Sequence, residues 1–346
     1  MLEPRDAEII NVIKNSRGCS SKEVLDGLNR SISIATVKRI LSRLTSDNMI
    51  VTKGQGKGTR YFVSPAYELI RPIDIESYYK KEIDEREIKE SYNHELIPDV
   101  LGKNGVFVGH EMAYLSNLQG IYRKNISQLS ELAFKKELER LAIDLSWKSS
   151  QIEGNTYSLL ETERLLREKE TASGKTKEEA VMLLNHKDAI DFIVENPDYL
   201  TPVSVSKIED IHSILVKELA VEKNIRRLRV GISGTNYRPL DNEFQILEAL
   251  SGMCELINSK ESVFEKALLA LVLISYIQPF MDGNKRTARI VTNAILMHNH
   301  YCPISFRTVD SIEYKKAMLL FYEQNNISGI KEIFINQFEF AVKTYF

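Results

Sequence analysis

The stretch that most constrains the fold is an uncharged, apolar run from Ala267 to Ile277. Such a run is typical of a helix buried on all sides, so the rest of the chain must cover it. Pro279 ends the run, because proline lacks an N–H donor and biases the residue before it away from helical backbone. Helical spacing resumes from Thr287, with Ile290 among its apolar positions. The sequence therefore predicts a short polar loop that opens a second helix.

The residue types in this loop suit an anion. Gly283 allows close approach of the backbone, and the first N–H groups of a helix have no partner within the helix, so they attract phosphate. Arg286 and Arg289 are three residues apart and face one side of the first turn, where arginines can grip phosphate oxygens. Asp282 can hold Mg²⁺ together with phosphate oxygens. The alternative is a loop whose charged residues only cap the helix and pair with each other.

The segment resembles the signature of the Fic (Fido-fold) family, H-P-F-x-D/E-G-N-G-R-x-x-R. The matching positions are Pro279, Phe280, Asp282, Gly283, Asn284, Arg286 and Arg289. The resemblance implies a mainly α, Fido-fold helical bundle that binds ATP and Mg²⁺. It also implies a protein adenylyltransferase, which transfers AMP to a Ser, Thr or Tyr hydroxyl of a target protein or of itself. Asp282 would hold the metal, and Gly283, Asn284, Arg286 and Arg289 would hold the nucleotide.

Two positions depart from the family pattern, and both affect the chemistry. Gln278 stands where the family has its catalytic histidine, and an amide cannot accept a proton near neutral pH. Its carbonyl can still accept a hydrogen bond from a target hydroxyl. Lys285 replaces the second glycine of the signature and adds a cation that can contact the nucleotide or block its usual path. The sequence therefore predicts an impaired transfer site. Phosphoryl transfer with an altered nucleotide pose is an alternative that Lys285 suggests.

A second segment precedes this core. An amphipathic helix, placed at about residues 134–155, leads into Ser149, Glu153 and Gly154. A carboxylate at the negative end of a helix dipole needs a cation nearby. The segment is similar to the inhibitory motif of Fic proteins, [S/T]-x-x-x-E-[G/N], and the resemblance implies that Glu153 pairs with Arg289 and keeps ATP from binding productively. The alternative is a surface glutamate beside an ordinary helix end.

Residues 229–240 interrupt the helical pattern with glycines, a proline and β-forming residues, which predicts a β-hairpin. It resembles the Fic flap, which lies over the active site and holds the target segment by strand addition. The flap positions are Gly234, Thr235 and Tyr237. The alternative is a plain connecting hairpin.

The first 65 residues have the pattern of three helices and a hairpin with a glycine-rich basic loop, which resembles a winged helix-turn-helix module. This part holds 11 Lys and Arg against six Asp and Glu, whereas the remainder holds 35 against 42. We predict contacts to DNA bases or phosphates through the third helix and the wing. The predicted contact residues are Thr36, Lys38, Arg39, Arg43, Lys53, Lys57 and Arg60. Winged helices also serve only as packing or dimerisation units, which is the alternative.

The pattern divides the chain into 1–65, a connector at 66–110 and a Fic domain at 111–346. Within the connector, the charge-dense stretch Tyr79–Glu90 predicts a solvent-exposed helix. The three cysteines are widely spaced, no membrane span is expected, and a cytoplasmic location with reduced thiols follows. A different function remains open, that of a DNA-binding transcription regulator whose Fic-like domain only senses nucleotide or mediates homodimerisation.

Overall fold

The computed structural model describes residues 4–16, 18–28, 32–64 and 66–346, and these ranges are mainly helical, as predicted. The first elements are α1 (Pro4–Asn15), α2 (Ser21–Asp26), α3 (Ile34–Ser46), β1 (Ile50–Lys53), β2 (Arg60–Val63), α4 (Tyr67–Ile70) and α5 (Ile75–Tyr79). The longer helices are α6 (Gly109–Ile126), α7 (Glu131–Ile152), α8 (Leu159–Glu168), α9 (Lys177–Glu195), α10 (Val205–Leu215), α11 (Glu243–Ser259), α12 (Val263–Ile277), α13 (Asn284–His298), α14 (Ser311–Gln324) and α15 (Ser328–Thr344).

The N-terminal module has the predicted order of three helices and a hairpin. Strands β1 and β2 pair antiparallel, with Ile50 opposite Val63 at one end of the ladder. Helix α3 begins after Ser33, whose Oγ accepts a hydrogen bond from the backbone N–H of Thr36 at 3.1 Å. Its apolar side, which includes Leu41, is buried. The winged-helix prediction is therefore confirmed for the fold of this module, although Pro65, the last residue assigned to it, lies outside the described residues.

Helix α12 is the centre of the larger part of the molecule. Every residue from Ala267 to Ile277 is buried, as the uncharged run predicts. The helix packs against α11, α13, α14 and α15. The same hydrophobic core continues through Leu69 and Ala66 to the N-terminal module. The loop that carries most of the signature (residues 278–283, the signature loop) is thus fixed at the C-terminal end of the buried helix α12.

The connector does not contain the predicted solvent-exposed helix at Tyr79–Glu90. Instead, α5 ends at Tyr79, a 3₁₀ turn spans Ile83–Glu85, and residues 86–90 form no helix. Charge density alone misled the prediction, because Arg86 in this stretch is buried and pairs with the buried Glu323 of α14, with Nη1 and Oε1 3.0 Å apart. A partner more than two hundred positions away in the chain changes the environment of this arginine.

The predicted flap hairpin is not formed as paired strands. Residues 229–240 contain a turn at Ser233–Gly234 and a single isolated bridge, between Arg238 and Ser91 of the connector. The two arms do not pair because the second arm is held elsewhere. Arg238 donates its backbone N–H to Glu90 O at 2.8 Å, and Tyr237 stacks on Tyr276 with ring centroids 4.9 Å apart. The flap is a loop that the connector and α12 hold in place.

Two further features bear on the sequence predictions. The helices of the described ranges include none with the length and hydropathy needed to cross a membrane. All three cysteines are buried and form no disulfide.

Candidate functional site

The signature loop has the predicted position between α12 and α13. Gln278 caps α12 in the left-handed conformation, with φ 52°, and Gly283 caps the start of α13 with φ 79°. A side chain at position 283 would be strained by this φ, and its Cβ would lie 3.3 Å from the ring of His212. Glycine is therefore required where the backbone turns into the helix.

Asn284 holds the loop closed. Its Oδ1 accepts from the backbone N–H of Phe280 at 2.8 Å, and its Nδ2 donates to Phe280 O at 2.8 Å and to Gln278 Oε1 at 3.0 Å. Asn284 is one of the residues predicted to hold the nucleotide, and its side chain is occupied in bracing the loop. Its backbone N–H, in the first turn of α13, is the group placed to meet an anion.

The amide of Gln278 is oriented by its neighbours. Nε2 donates to Ser275 O at 2.6 Å, while Oε1 accepts from Asn284. This network assigns the two ends of the amide, since the reverse orientation would bring two donors together at Asn284. The carbonyl that we expected to orient a target hydroxyl already receives a hydrogen bond. Gln278 is also only 8% exposed, so it contributes a small polar surface to the cavity.

Glu153 lies just after the end of α7 and contacts two cations. Its Oε1 is 2.8 Å from Arg289 Nη2, and its Oε2 is 3.0 Å from Lys285 Nζ. The predicted contact of Glu153 with Arg289 is therefore present. The contact with Lys285 was not predicted, although Lys285 and Arg289 are one helical turn apart and must face the same side of α13.

Burial by itself would raise the pKa of the Glu153 carboxyl, but the charges of Arg289 and Lys285 outweigh it and lower the pKa to about 2. The carboxylate is therefore anionic at neutral pH. Gly154 follows with φ 104°, a backbone conformation that ends the helix as predicted.

Ser149 completes the contacts of Arg289. Its Oγ accepts from Arg289 Nε at 2.8 Å, and its backbone oxygen accepts from Nη2 at 2.9 Å. His186 Nε2 lies 2.6 Å from the same Oγ. Burial, followed by the charges of Arg289 and Arg286, holds the pKa of His186 well below its ordinary value. The ring is therefore neutral, and it meets the same serine oxygen that accepts from the guanidinium.

Arg286 is almost fully buried and is poorly satisfied. Its Nη2 donates to Asp282 Oδ2 at 3.2 Å, whereas Nε and Nη1 are buried without a hydrogen-bond partner among the described residues. Arg289 Nη1 is in the same state. Buried donors without acceptors cost free energy, more so when they are charged. An anion with several oxygens would satisfy these donors.

A cavity of about 330 Å³ opens beside these groups. One part of its wall is apolar and includes Ile152, Val230, Ile232, Met281, Met318 and Leu319. The other part is polar and includes Glu153, Ser233, Gln278, Asp282, Gly283, Asn284, Lys285, Lys315 and Tyr322. The contribution of α14, namely Lys315, Met318, Leu319 and Tyr322, was missed because nothing in the local sequence of that helix marks it as a cavity wall.

Asp282 is the predicted metal ligand. Its side chain is 65% exposed at the cavity, and Oδ1 accepts from the N–H of Gly283 at 2.6 Å. Within the described ranges, no three His, Cys, Asp or Glu residues form a cluster that could hold a metal. A single carboxylate fits Mg²⁺ only when phosphate oxygens and water supply the other ligands, which is the usual arrangement for this ion.

The three flap residues that we named do not line the cavity. Gly234 forms the turn, Thr235 Oγ1 accepts from the N–H of Tyr237 at 3.1 Å, and Tyr237 is buried with its hydroxyl on Tyr276 O at 3.1 Å. The lining comes from the preceding arm, residues 230–233. The aromatic ring is withdrawn into the core because stacking buries it there.

The predicted DNA-contacting residues differ in their availability. Lys38 and Arg39 are exposed on α3, and no ion-pair partner is found for them among the described residues. Arg43 Nη2 pairs with the buried Asp6 at 2.5 Å, and Arg60 with Glu23 at 3.2 Å. The cationic face that stands clear of such pairs is therefore smaller than predicted.

The structure says less about whether the remaining three predicted DNA-contacting residues are available to DNA. Thr36 Oγ1 lies 3.0 Å from Ser33 Oγ, within the helix cap. Lys53 lies over the ring of Phe62, with its Nζ 5.1 Å from the centroid. The side chain of Lys57 lies outside what the structure describes.

Comparison with known proteins finds similarity to two families, each over a different part of the chain. Residues 202–296 match the sequence model of the Fic/DOC family, and residues 2–70 match that of the penicillinase repressor. The chain is 28% identical over 194 residues to a protein adenylyltransferase Fic of Aedes aegypti, which covers 53% of this chain and 38% of that protein. It is 28% identical over 177 residues to protein adenylyltransferase fic-1 of Caenorhabditis elegans, covering 48% and 34%. The match thus spans little more than a third of these relatives.

Solved structures show the same fold. The Fic-1 fragment of C. elegans superposes with a TM-score of 0.60 at 20% identity and covers 68% of this chain and 72% of that one. A Fic-domain signaling protein of Bacteroides thetaiotaomicron gives 0.55 at 18% identity and covers 66% and 96%. The chain is therefore similar to the Fic/DOC family over residues 202–296, has the fold of Fic domains over about two thirds of its length, and carries an N-terminal module of the winged-helix type.

Proposed function

We propose that the Fic domain binds Mg²⁺-ATP, resembles a protein adenylyltransferase in its chemistry, is held inactive by Glu153 and is further impaired by Gln278. The observation that carries this proposal is the pair of buried guanidinium groups beside the cavity. Arg286 and Arg289 have buried N–H donors without partners, at the start of a helix whose dipole also favours an anion. The name protein adenylyltransferase, given to several relatives, supports the choice of ATP.

The cavity has the two parts that a nucleoside triphosphate requires. Its apolar wall, with residues such as Met318 and Leu319, can cover a flat base, and its polar part includes Lys285 of α13. Arg286 and Arg289 lie behind that part of the wall, paired with the lining carboxylates of Asp282 and Glu153. Asp282 would hold Mg²⁺ together with phosphate oxygens, and the ion would neutralise charge on the phosphates. The apolar and polar parts of the cavity thus correspond to the base and the triphosphate of the ligand.

The proposed inhibition (the brake) follows from competition between the Glu153 carboxylate and a phosphate for one arginine, Arg289. Glu153 occupies Nη2 of Arg289, one of the donors that a phosphate would need, and Lys285 holds the second carboxylate oxygen. A phosphate can replace the carboxylate only if α7 or the side chain of Glu153 moves. Because two cations hold it, Glu153 is restrained in both position and rotation.

The transfer step would proceed by attack of a target hydroxyl oxygen on the α-phosphorus, with departure of pyrophosphate and loss of the hydroxyl proton. In this chain the position of the family's base is occupied by Gln278, whose amide is already hydrogen-bonded to Asn284 and Ser275. It cannot take the proton. We therefore expect nucleotide binding to survive better than chemistry.

Calorimetry with Mg²⁺-ATP tests the binding site. In a Glu153→Gln background, we expect measurable binding, and Arg286→Met should weaken it by about 10- to 100-fold, as expected for lost charge-assisted hydrogen bonds. The matched control is Arg140→Met, since Arg140 is exposed and pairs with Glu137 away from this cavity. Absence of Mg²⁺-ATP binding in the Glu153→Gln protein would disprove the proposal.

A second function, DNA binding by the N-terminal module, is favoured by the match to the penicillinase repressor and by exposed Lys38 and Arg39. Replacing both by alanine should lower the affinity for duplex DNA at every sequence tested and reduce the salt slope by roughly two. The control is the double replacement of Lys135 and Lys136 on α7. Fluorescence anisotropy at low salt provides the measurement. If the unmodified chain binds no duplex there, this function is excluded.

A further inference from the structure

The segment 74–93 of the connector lies against the outer side of α14. Tyr79 donates its hydroxyl to Lys316 O at 2.9 Å, and Lys89 donates its backbone N–H to Glu323 O at 2.8 Å. The opposite side of α14 carries Met318 and Tyr322, which line the cavity. The helix thus lies between the connector and the cavity, and the connector is hydrogen-bonded to it.

Arg86 extends this contact across α14 to the flap loop. Its Nη1 donates to Glu323 Oε1 at 3.0 Å and its Nη2 donates to Gly234 O at 3.0 Å. The arginine side chain is 4% exposed and Glu323 is fully buried. A buried ion pair adds little net stability, because desolvation offsets attraction. Its effect here is geometric, since one planar guanidinium holds a helix and a loop at a fixed separation.

The flap loop depends on such contacts because its own arms form no ladder. The connector supplies three further ones: Glu90 O accepts from the N–H of Arg238 at 2.8 Å, Glu90 Oε2 lies 2.5 Å from Arg238 Nη2, and Asp84 accepts from Asn236. At the turn, a Cβ on Gly234 would meet the side chain of Leu319 at 3.3 Å. The turn therefore lies close to Leu319 in the wall of the cavity.

We infer that Arg86 is a positioning residue for the nucleotide site, through which the connector holds the flap loop and α14 around the cavity. Residues 230–233 form one side of that cavity and directly precede the turn that Arg86 holds. Release of the turn would let this arm move away from the ligand without unfolding the core. The inference rests on the proposed nucleotide function only for its effect on ligand affinity, and not for its effect on the loop.

Arg86→Lys tests this inference. Lysine keeps a positive charge beside Glu323 but has a single head group, which cannot serve both Glu323 and Gly234 in the manner of the guanidinium. We expect amide hydrogen exchange in residues 229–237 to accelerate about 10-fold, while exchange in α12 and the melting temperature stay close to those of the parent. In the Glu153→Gln background, Mg²⁺-ATP should bind about 5- to 10-fold more weakly and dissociate faster.

The control is Arg71→Lys, because Arg71 pairs with Glu68 in the same connector and does not contact the flap. Arg238→Ala, at an exposed tether, should change exchange in the same direction but less, and it decides the matter if Arg86→Lys folds poorly. Unchanged exchange in residues 229–237 of both variants would overturn the inference, as would acceleration spread evenly over the molecule. If exchange rises locally but neither protein binds Mg²⁺-ATP, the positioning of the loop stands and the proposed nucleotide function fails.

Discussion

Replacing Gln278 by histidine is expected to raise the rate of AMP transfer by about 10²- to 10⁴-fold, the usual contribution of a positioned general base. The amide in the parent protein cannot accept a proton, whereas an imidazole titrates near neutral pH. Histidine tolerates the left-handed backbone that this position requires, with φ 52°. Asn284 Nδ2, which now donates to the carboxamide oxygen, would be available to orient the ring.

The measurement is transfer of label from ATP to protein, with Glu153→Gln present in every variant so that the brake does not limit the rate. Label on the α-phosphate should be retained by the product, and label on the γ-phosphate should not. Retention of the γ label instead would favour phosphoryl transfer with the altered pose that Lys285 suggests. The control is Gln278→Asn, which is also an amide and should stay inactive. Parent protein that transfers AMP as fast as the histidine variant would show that Gln278 does not limit the reaction.

Replacing Glu153 by glutamine is expected to make the free protein less stable by about 3 kcal/mol, because removal of one member of a largely buried ion pair leaves the other charge uncompensated. Arg289 is fully buried and loses its counter-charge, and Lys285 loses its partner. Mg²⁺-ATP should then stabilise the variant more than the parent. At a hundredfold excess over the dissociation constant, the gain is about 2.7 kcal/mol.

We also expect the effect of Glu153→Gln on stability to depend on pH. The pKa of the Glu153 carboxyl is about 2 in the folded protein, below its ordinary value of 4.5. A lowered folded-state pKa stabilises the fold above the unfolded-state pKa, and this contribution is lost as pH falls from about 4.5 towards 2. The stability difference between parent and Glu153→Gln should therefore be constant from pH 7 to about 5 and shrink below.

Denaturant unfolding with and without Mg²⁺-ATP, at several pH values, measures both effects. Glu139→Gln is the matched control, since Glu139 lies on α7, its side chain is 45% exposed, and Lys187 keeps Asp191 as a second partner. Equal stability of parent and Glu153→Gln at neutral pH would contradict the proposed electrostatic role of this carboxylate. Equal stabilisation of both proteins by nucleotide would contradict the proposed brake.

Local pattern in the sequence was sufficient for many of the helices, although not for residues 79–90 or for the flap. The uncharged run before Pro279 predicted a helix that is buried throughout its length, because no other environment suits such a segment. The start of α13 after Gly283, the cap at Ser33 and the order of the winged helix also followed from short-range signals. The contact of Glu153 with Arg289 followed from the resemblance of two short motifs, and no periodicity in either segment indicates it.

Only the tertiary structure decided which partners the charged and amide side chains contact. Lys285 joined the contact with Glu153, Asn284 closed the loop, and Arg86 became buried beside Glu323 although its sequence neighbours indicated a solvent-exposed helix. The flap does not form the predicted hairpin because the connector and Tyr276 hold its second arm, at residues 237 and 238. The physical reason is range: helix periodicity and capping are settled within a few residues, whereas the environment of a polar group depends on partners brought close only when the whole chain is folded.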